Sequence, residues 1–380
     1  MATTVKVPPP LGAPKLASAP VAIARSLAPL VAAIAFGVII QLVVPKDTSA
    51  AIILFNIGVN IILAVSLNMV NGFTGQFSIG HAGFMALGAY SSIVVTYYGG
   101  FSLFGDVNLH ETASGYALYF ASIVVGGLMA AGAGFVVGLP SLRLRGDYLA
   151  IVTLGFGEII RVLLQATPQV PYPDEIAAIP AWQRPLHLGG ALGFSHGESY
   201  NDLGWTFAAV AVTLIVAYRL RESTHGRAFL SVRENEIAAE AIGVDTVRYK
   251  VSAFVLAAFF AGVAGALFAH QLGAGTASRP EEFNFMKSFD AVIMVVLGGM
   301  GSISGAALAA TAITILTELL RSVQEYRMIA YASLLILVMI LRPEGLFGTQ
   351  EIWTVLRARL ASRNRENVKP QTPEVPGGPA

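Results

Sequence analysis

The chain has 380 residues, 55% of them hydrophobic and 12% charged, with a mean hydropathy of +0.66. A soluble domain carries about 25% charged residues, so the composition excludes an ordinary water-soluble protein and points to a polytopic membrane protein. A net charge of +1 gives no field for nucleic acid, and the absence of cysteine removes disulfides, thiolate metal ligands and thiol catalysis.

Residues 1–24 carry Pro8, Pro9, Pro10, Pro14 and Pro20 without periodicity and read as a disordered N-terminal segment. A membrane-crossing helix needs about 20 mostly apolar residues. Windows of that kind predict spans near 26–44, 50–70, 78–98, 117–139, 148–166, 203–220, 250–272, 288–304, 305–322 and 329–342. The fold class expected is all-α, a polytopic transmembrane helical bundle over 25–345 with about ten spans. The count falls to eight or nine if Gly298, Gly299, Gly301 and Gly305 mark a broken or re-entrant helix. Residues 346–380 form a tail ending in a Pro/Gly-rich segment.

Cytoplasmic loops hold the excess of Lys and Arg. Arg219, Arg221, Arg227, Arg233, Arg248 and Lys250 place the loop 219–249 and its exit on the cytoplasmic side. Arg143 and Arg145 do the same for the 141–146 loop, and the basic tail for the C-terminus. The loop 167–202, acidic and proline-rich, is expected outside. Ten spans with both termini cytoplasmic satisfy all four loops.

Ionisable groups at membrane depth are few: His81, Glu158 with Arg161, His270, Asp290, and Glu318 with Arg321. Such groups face the bundle interior or a watery path. Glu158 and Arg161 share a helical face and can pair. The pair, with His81 and Asp290, is a candidate for either the translocation path or structural ion pairing, and His81 is expected to bond a neighbouring helix's backbone. The 39 glycines concentrate in the spans, where small faces let helices approach. Gly134 with Gly138, Gly262 with Gly265, and the 298–305 cluster are candidates for helix packing or hinging. No phosphate-cradling Gly-rich loop, H-E-x-x-H or G-x-S-x-G occurs, so enzymatic activity and a metal site are not expected.

RENEIAAEAIGVDTVRYK, residues 233–250, interrupts the apolar pattern. Residues 231–242 are expected to form one amphipathic helix, with Ile237, Ala238, Ala241 and Ile242 on one face and Glu234, Glu236 and Glu240 on another. Gly243 sits at a C-cap position and Asp245 at the N-cap of the following helix. The helix reads as an interfacial element, a connector, or a docking helix for a soluble partner.

This segment and its continuation to Ala269 resemble the cytoplasmic loop and next helix of permease subunits of branched-chain amino acid ABC importers, in particular the LivM-like branch. LNMVNGFTGQFSIGHAGFMALGAY at 67–90, GDYLAIVTLGFGEIIRVLL at 146–164, FNFMKSFDAVIMVVLGGMGSISGAALA at 283–309 and LRPEGLFG at 341–348 agree in the same order. The resemblance implies a coupling helix carried by Glu234, Glu236, Ile237, Ala238, Glu240, Ala241 and Gly243. It implies no cofactor in this chain, because ATP and magnesium are bound by two separate ATPase subunits. A second homologous permease and an external solute-binding protein complete the machine, in a bacterial inner membrane and without nucleic acid. The alternatives are a permease for urea or short amides and a stand-alone secondary transporter or channel. Tyr172, Trp182 and Tyr200 are expected to help the 167–202 loop receive the binding protein.

Overall fold

A computed structural model describes residues 48–320 except 108, 110–111, 143–147, 195–199, 201 and 272–277, with single positions at 35, 37, 39–40, 43–44, 329, 332–333, 336, 340 and 351. The N-terminal segment, most of the first and last expected spans, Arg143, Arg145, Arg321 and all of the tail except Glu351 lie outside the described residues.

The elements in order are α1 (Ser49–Asn71), α2 (His81–Val94) running through a π-helical turn (Val95–Gly99) into α3 (Gly100–Phe104), α4 (Ala113–Ser141), α5 (Tyr148–Gln165), α6 (Leu203–Glu222), α7 (Thr224–Glu234), α8 (Glu236–Ala241), α9 (Thr246–Ala269), α10 (Phe285–Gly298) and α11 (Ile303–Leu319). Among the described residues the only β-pairing is an isolated bridge between Phe194 and Ser278. Helices α1, α4, α5, α6 and α9 are long and apolar enough to cross a membrane. Side-chain caps set the starts: Thr48 accepts from Ala51 N, Thr112 from Gly115 N and Asp245 from Arg248 N.

Helix α9 lies at the centre, packed on α1, α2 and α4. Glycine makes this possible. A Cβ on Gly88 would stand 2.2 Å from the Gly262 carbonyl oxygen, and one on Gly265 would stand 1.9 Å from that of Met85. Gly126 meets Gly88, and Gly134 meets Ala258, on the α4 side. Lipid tails are as apolar as leucine, so close backbone packing must supply the association that water would drive in a soluble core.

Three expectations are corrected. The span expected from residue 78 begins as a helix only at His81, and residues 72–80 run non-helically between α1 and α2. Non-helical backbone at membrane depth survives only when buried in protein with its polar groups satisfied. Here Ser78 N donates to Asn71 Oδ1, Ile79 N to Thr153 Oγ1 of α5, and Ala82 N to Ser288 Oγ of α10. Next, the spans expected at 288–304 and 305–322 are divided earlier, by a turn at 299–302. Gly299 and Gly301 adopt φ of 102° and 94° there, a region that L side chains rarely enter. Gly298 and Gly305 then cross so closely that a Cβ on either would meet the other's backbone within 2.5 Å. Finally, 231–242 is two helices rather than one. Asn235 is extended at φ −161° and caps α8 by accepting from Ala238 N; its side chain competes with the helical backbone for that donor.

Candidate functional site

The α7–α8 hairpin follows α6 directly and leads into α9, so it closes one pole of the bundle. Glu234 ends α7, while Glu236, Ile237, Ala238, Glu240 and Ala241 make up α8. Gly243 ends it at φ +89°, with its N–H on the Glu240 carbonyl at 2.9 Å and Val244 N on that of Ala239 at 3.0 Å. These two bonds form a Schellman stop. Ala239 is buried, whereas Ile237 and Ile242 are 70% and 78% exposed, and Ala238 and Ala241 are exposed beside them. The apolar face of α8 therefore turns away from its own bundle.

The other side of the hairpin is tied inward. The nearly buried Lys250 of α9 pairs with Glu236 at 2.5 Å, and Thr246 donates to Glu240 Oε1 at 2.7 Å. Arg233 Nη1 donates to the Gly72 carbonyl at 2.7 Å, at the end of α1. The same guanidinium fills the space where a Cβ on Gly301 would go. Asn68 of α1 grips that turn too, accepting from Gly301 N at 2.8 Å and donating to the Ser302 carbonyl at 3.0 Å. Arg233, which was not among the residues expected for docking, thus brings the hairpin onto the glycine turn expected for hinging.

On α5, Arg161 donates through Nε and Nη2 to Glu158 Oε2, both at 2.7 Å, and both side chains are partly exposed. Glu158 lines a crevice with Ala82 and Gly83 at the start of α2, Gly157 of α5, and Asn284 and Ser288 at the start of α10. Two helices begin at this crevice, so it combines the Glu158 carboxylate with irregular backbone, while Arg161 holds that carboxylate without lining the crevice itself. His81 is not among its lining residues; its ring bonds the Ser66 hydroxyl of α1 at 2.7 Å rather than a backbone group. Asp290 is half-buried on α10, one turn beyond Lys287. Lys287 was missed by the sequence reading: it donates to Asn60 Oδ1 at 3.1 Å, and Asn60 donates to Thr314 Oγ1 at 2.9 Å. Its signal, like that of Asn60 and Asn68, is a polar side chain inside an apolar window. Among the described residues no group of three or more His, Cys, Asp or Glu side chains is placed to hold a metal.

At the opposite pole the 167–202 loop is built into the fold. Tyr97 OH donates to the Pro171 carbonyl at 2.9 Å, Tyr98 OH to that of His187 at 2.8 Å, and Phe194 bridges Ser278. Trp182 and Tyr172 are exposed. Tyr200 corrects the expectation: it is buried, stacked on Tyr119 with centroids 5.6 Å apart, and cannot offer a surface. His270 closes α9 in the same cluster, bonded to Ser92 and Thr96.

Comparison with known proteins places this architecture. A family model described as branched-chain amino acid transport system / permease component matches residues 49–342. The LivM high-affinity branched-chain amino acid permease protein of Escherichia coli is 39% identical over 303 residues, 75% of this chain and 67% of the relative. The LivH permease protein of the same organism is 26% identical over 300 residues, 77% of this chain and 92% of the relative. A probable LivM of Methanocaldococcus jannaschii is 24% identical over 350 residues, covering 80% and 94%. No solved structure matches. Matched by that family model over residues 49–342 and 39% identical to a LivM protein, the chain belongs to the family of permease components of branched-chain amino acid transport systems, on its LivM-like side.

Proposed function

We propose that the chain is the transmembrane permease subunit of an ABC importer in a bacterial inner membrane, translocating branched-chain or related amino acids delivered by an external solute-binding protein. The α7–α8 pole faces the cytoplasm, where separate ATPases bind ATP and magnesium and dock on α8. A second, homologous permease chain completes the pore; similarity to both LivM and LivH supports two related chains rather than two copies. The observation that carries the reading is the orientation of α8: an exposed apolar face outward, with Glu236, Glu240 and Arg233 tied to α9 and α1 behind it. A push on that face reaches the bundle through short polar contacts, which suits alternating access by rigid-body movement of helices. In this reading Glu158, its carboxylate held by Arg161, lies beside the path.

The test is reconstitution of this chain with its ATPases, second permease and binding protein in vesicles. Labelled leucine should enter only with ATP and binding protein present. Ile237→Asp with Ile242→Asp should lose the ATPases on purification while the permease still inserts. ATPases retained by that double variant, with normal uptake, would overturn the docking assignment; ATP-independent uptake would favour a secondary transporter.

A further inference from the structure

Glu351 lies beyond the last expected span, yet it is only 7% exposed and its carboxylate is fully engaged at the proposed cytoplasmic pole. Its Oε1 accepts from Ile303 N at 3.0 Å and from Arg221 at the end of α6. Its Oε2 accepts from Ser304 N at 3.1 Å and from the Ser304 hydroxyl. Helix α11 has its own cap, Ser302 Oγ, which takes Gly305 N. The first-turn amides of α11 are therefore shared between a local hydroxyl and a carboxylate arriving from 47 residues downstream. Carboxylates at a helix N-terminus gain from the unpaired N–H groups and the helix dipole together, and the arginine neutralises the charge in a site nearly closed to water.

The position matters more than the bond count. Ile303 and Ser304 follow the 299–302 turn, which Arg233 of the α7–α8 hairpin touches at Gly301 and Asn68 grips from α1. Arg221 lies in the last turn of α6, two residues before Ser223, the cap of α7. Glu351 thus joins the helix that feeds the hairpin to the start of α11, directly after the turn that Arg233 of the hairpin presses on.

We propose that Glu351 is a positioning residue for energy coupling. Its carboxylate fastens the end of α6 to the start of α11, so that hairpin movement is passed to α10 and α11 as a unit. The proposal rests on the reading of α8 as the ATPase dock, and it makes turnover depend on a part of the chain outside the membrane core.

The experiment uses the full chain in its assembled transporter, with Glu351→Ala, Glu351→Gln and Arg221→Gln. Amide exchange at Ile303 and Ser304 should accelerate about tenfold in Glu351→Ala, the scale of a lost charge-assisted hydrogen bond, and less in the other two. ATP hydrolysed per amino acid imported should rise several-fold in all three at unchanged recovery of the complex. Unaltered exchange would overturn the clamp. Faster exchange with an unaltered ATP-to-cargo ratio would overturn its role in coupling and leave a local brace. Should Glu351→Ala fail to insert, Glu351→Gln, which keeps an acceptor and the side-chain volume, is judged by the same two readouts. If the unmodified assembly imports no amino acid, the transport reading fails, while the exchange measurement still decides the contact.

Discussion

Two glycines, Gly88 of α2 and Gly132 of α4, show how unevenly single residues weigh in this bundle. A Cβ on Gly88 would strike the Gly262 backbone at 2.2 Å, whereas one on Gly132 of α4 meets nothing within 4 Å. Backbone cannot yield as a flexible side chain can. Gly88→Ala should therefore cost about 1–3 kcal/mol through overpacking and lower the thermal unfolding midpoint in detergent by several degrees. Gly132→Ala should leave the midpoint unchanged or raise it slightly, because alanine is the better helix former. Equal midpoints for the two variants would contradict the α2–α4–α9 crossing. The abundance of glycine in apolar windows was visible in the sequence; which glycines are irreplaceable was not, because that depends on what lies opposite each.

At the scale of elements, α8 shows where local signals suffice. A six-residue helix cannot hold itself together in water, so its caps and its attachments decide whether it exists. Gly243 and Asp245 were legible as stop and start, since a left-handed C′ glycine and an N-capping aspartate act within a few residues. Asn235 went unread, although the same local rule applies to it. The ties to Lys250 and Gly72 were out of reach, because they join residues 14 and 161 positions apart. Gly243→Pro should remove the N–H that closes α8 and forbid its φ of +89°, so ATP hydrolysis should continue while uptake falls. Lys250→Glu alone should do the same, and Lys250→Glu with Glu236→Lys should recover part of the loss, a coupling that a double-mutant cycle measures. A normal ATP-to-cargo ratio in Lys250→Glu would refute the role of that tie, and one in Gly243→Pro would refute the role of the stop.

At the scale of the whole molecule, the two poles are built differently. The pole closed by α7 and α8 presents an apolar helix face backed by the Lys250–Glu236 pair and by hydrogen bonds to Glu240 and the Gly72 carbonyl, while the opposite pole is a loop held by tyrosine hydroxyls with Trp182 and Tyr172 outward. Deleting residues 172–198 would remove buried Phe194 and the His187 carbonyl that holds Tyr98, so it would damage the bundle as well as the surface. The cleaner test is Trp182→Ala with Tyr172→Ala: binding-protein-dependent uptake should fall several-fold with the ATPases still bound, and unchanged uptake would remove this loop from the receiving surface. Composition and hydropathy by themselves determined the all-α membrane class and most helix positions, because the cost of burying unsatisfied backbone in lipid acts on every window of about 20 residues. Ordered motifs along the chain determined its family. Only the tertiary structure decided that residues 72–80 leave the helix, that α10 and α11 turn at 299–302, and that Glu351 returns to cap α11. The backbone donors freed at these breaks are satisfied by Asn71 nearby and by Thr153, Ser288 and Glu351, the last three distant in sequence, so that no local pattern announces their arrival.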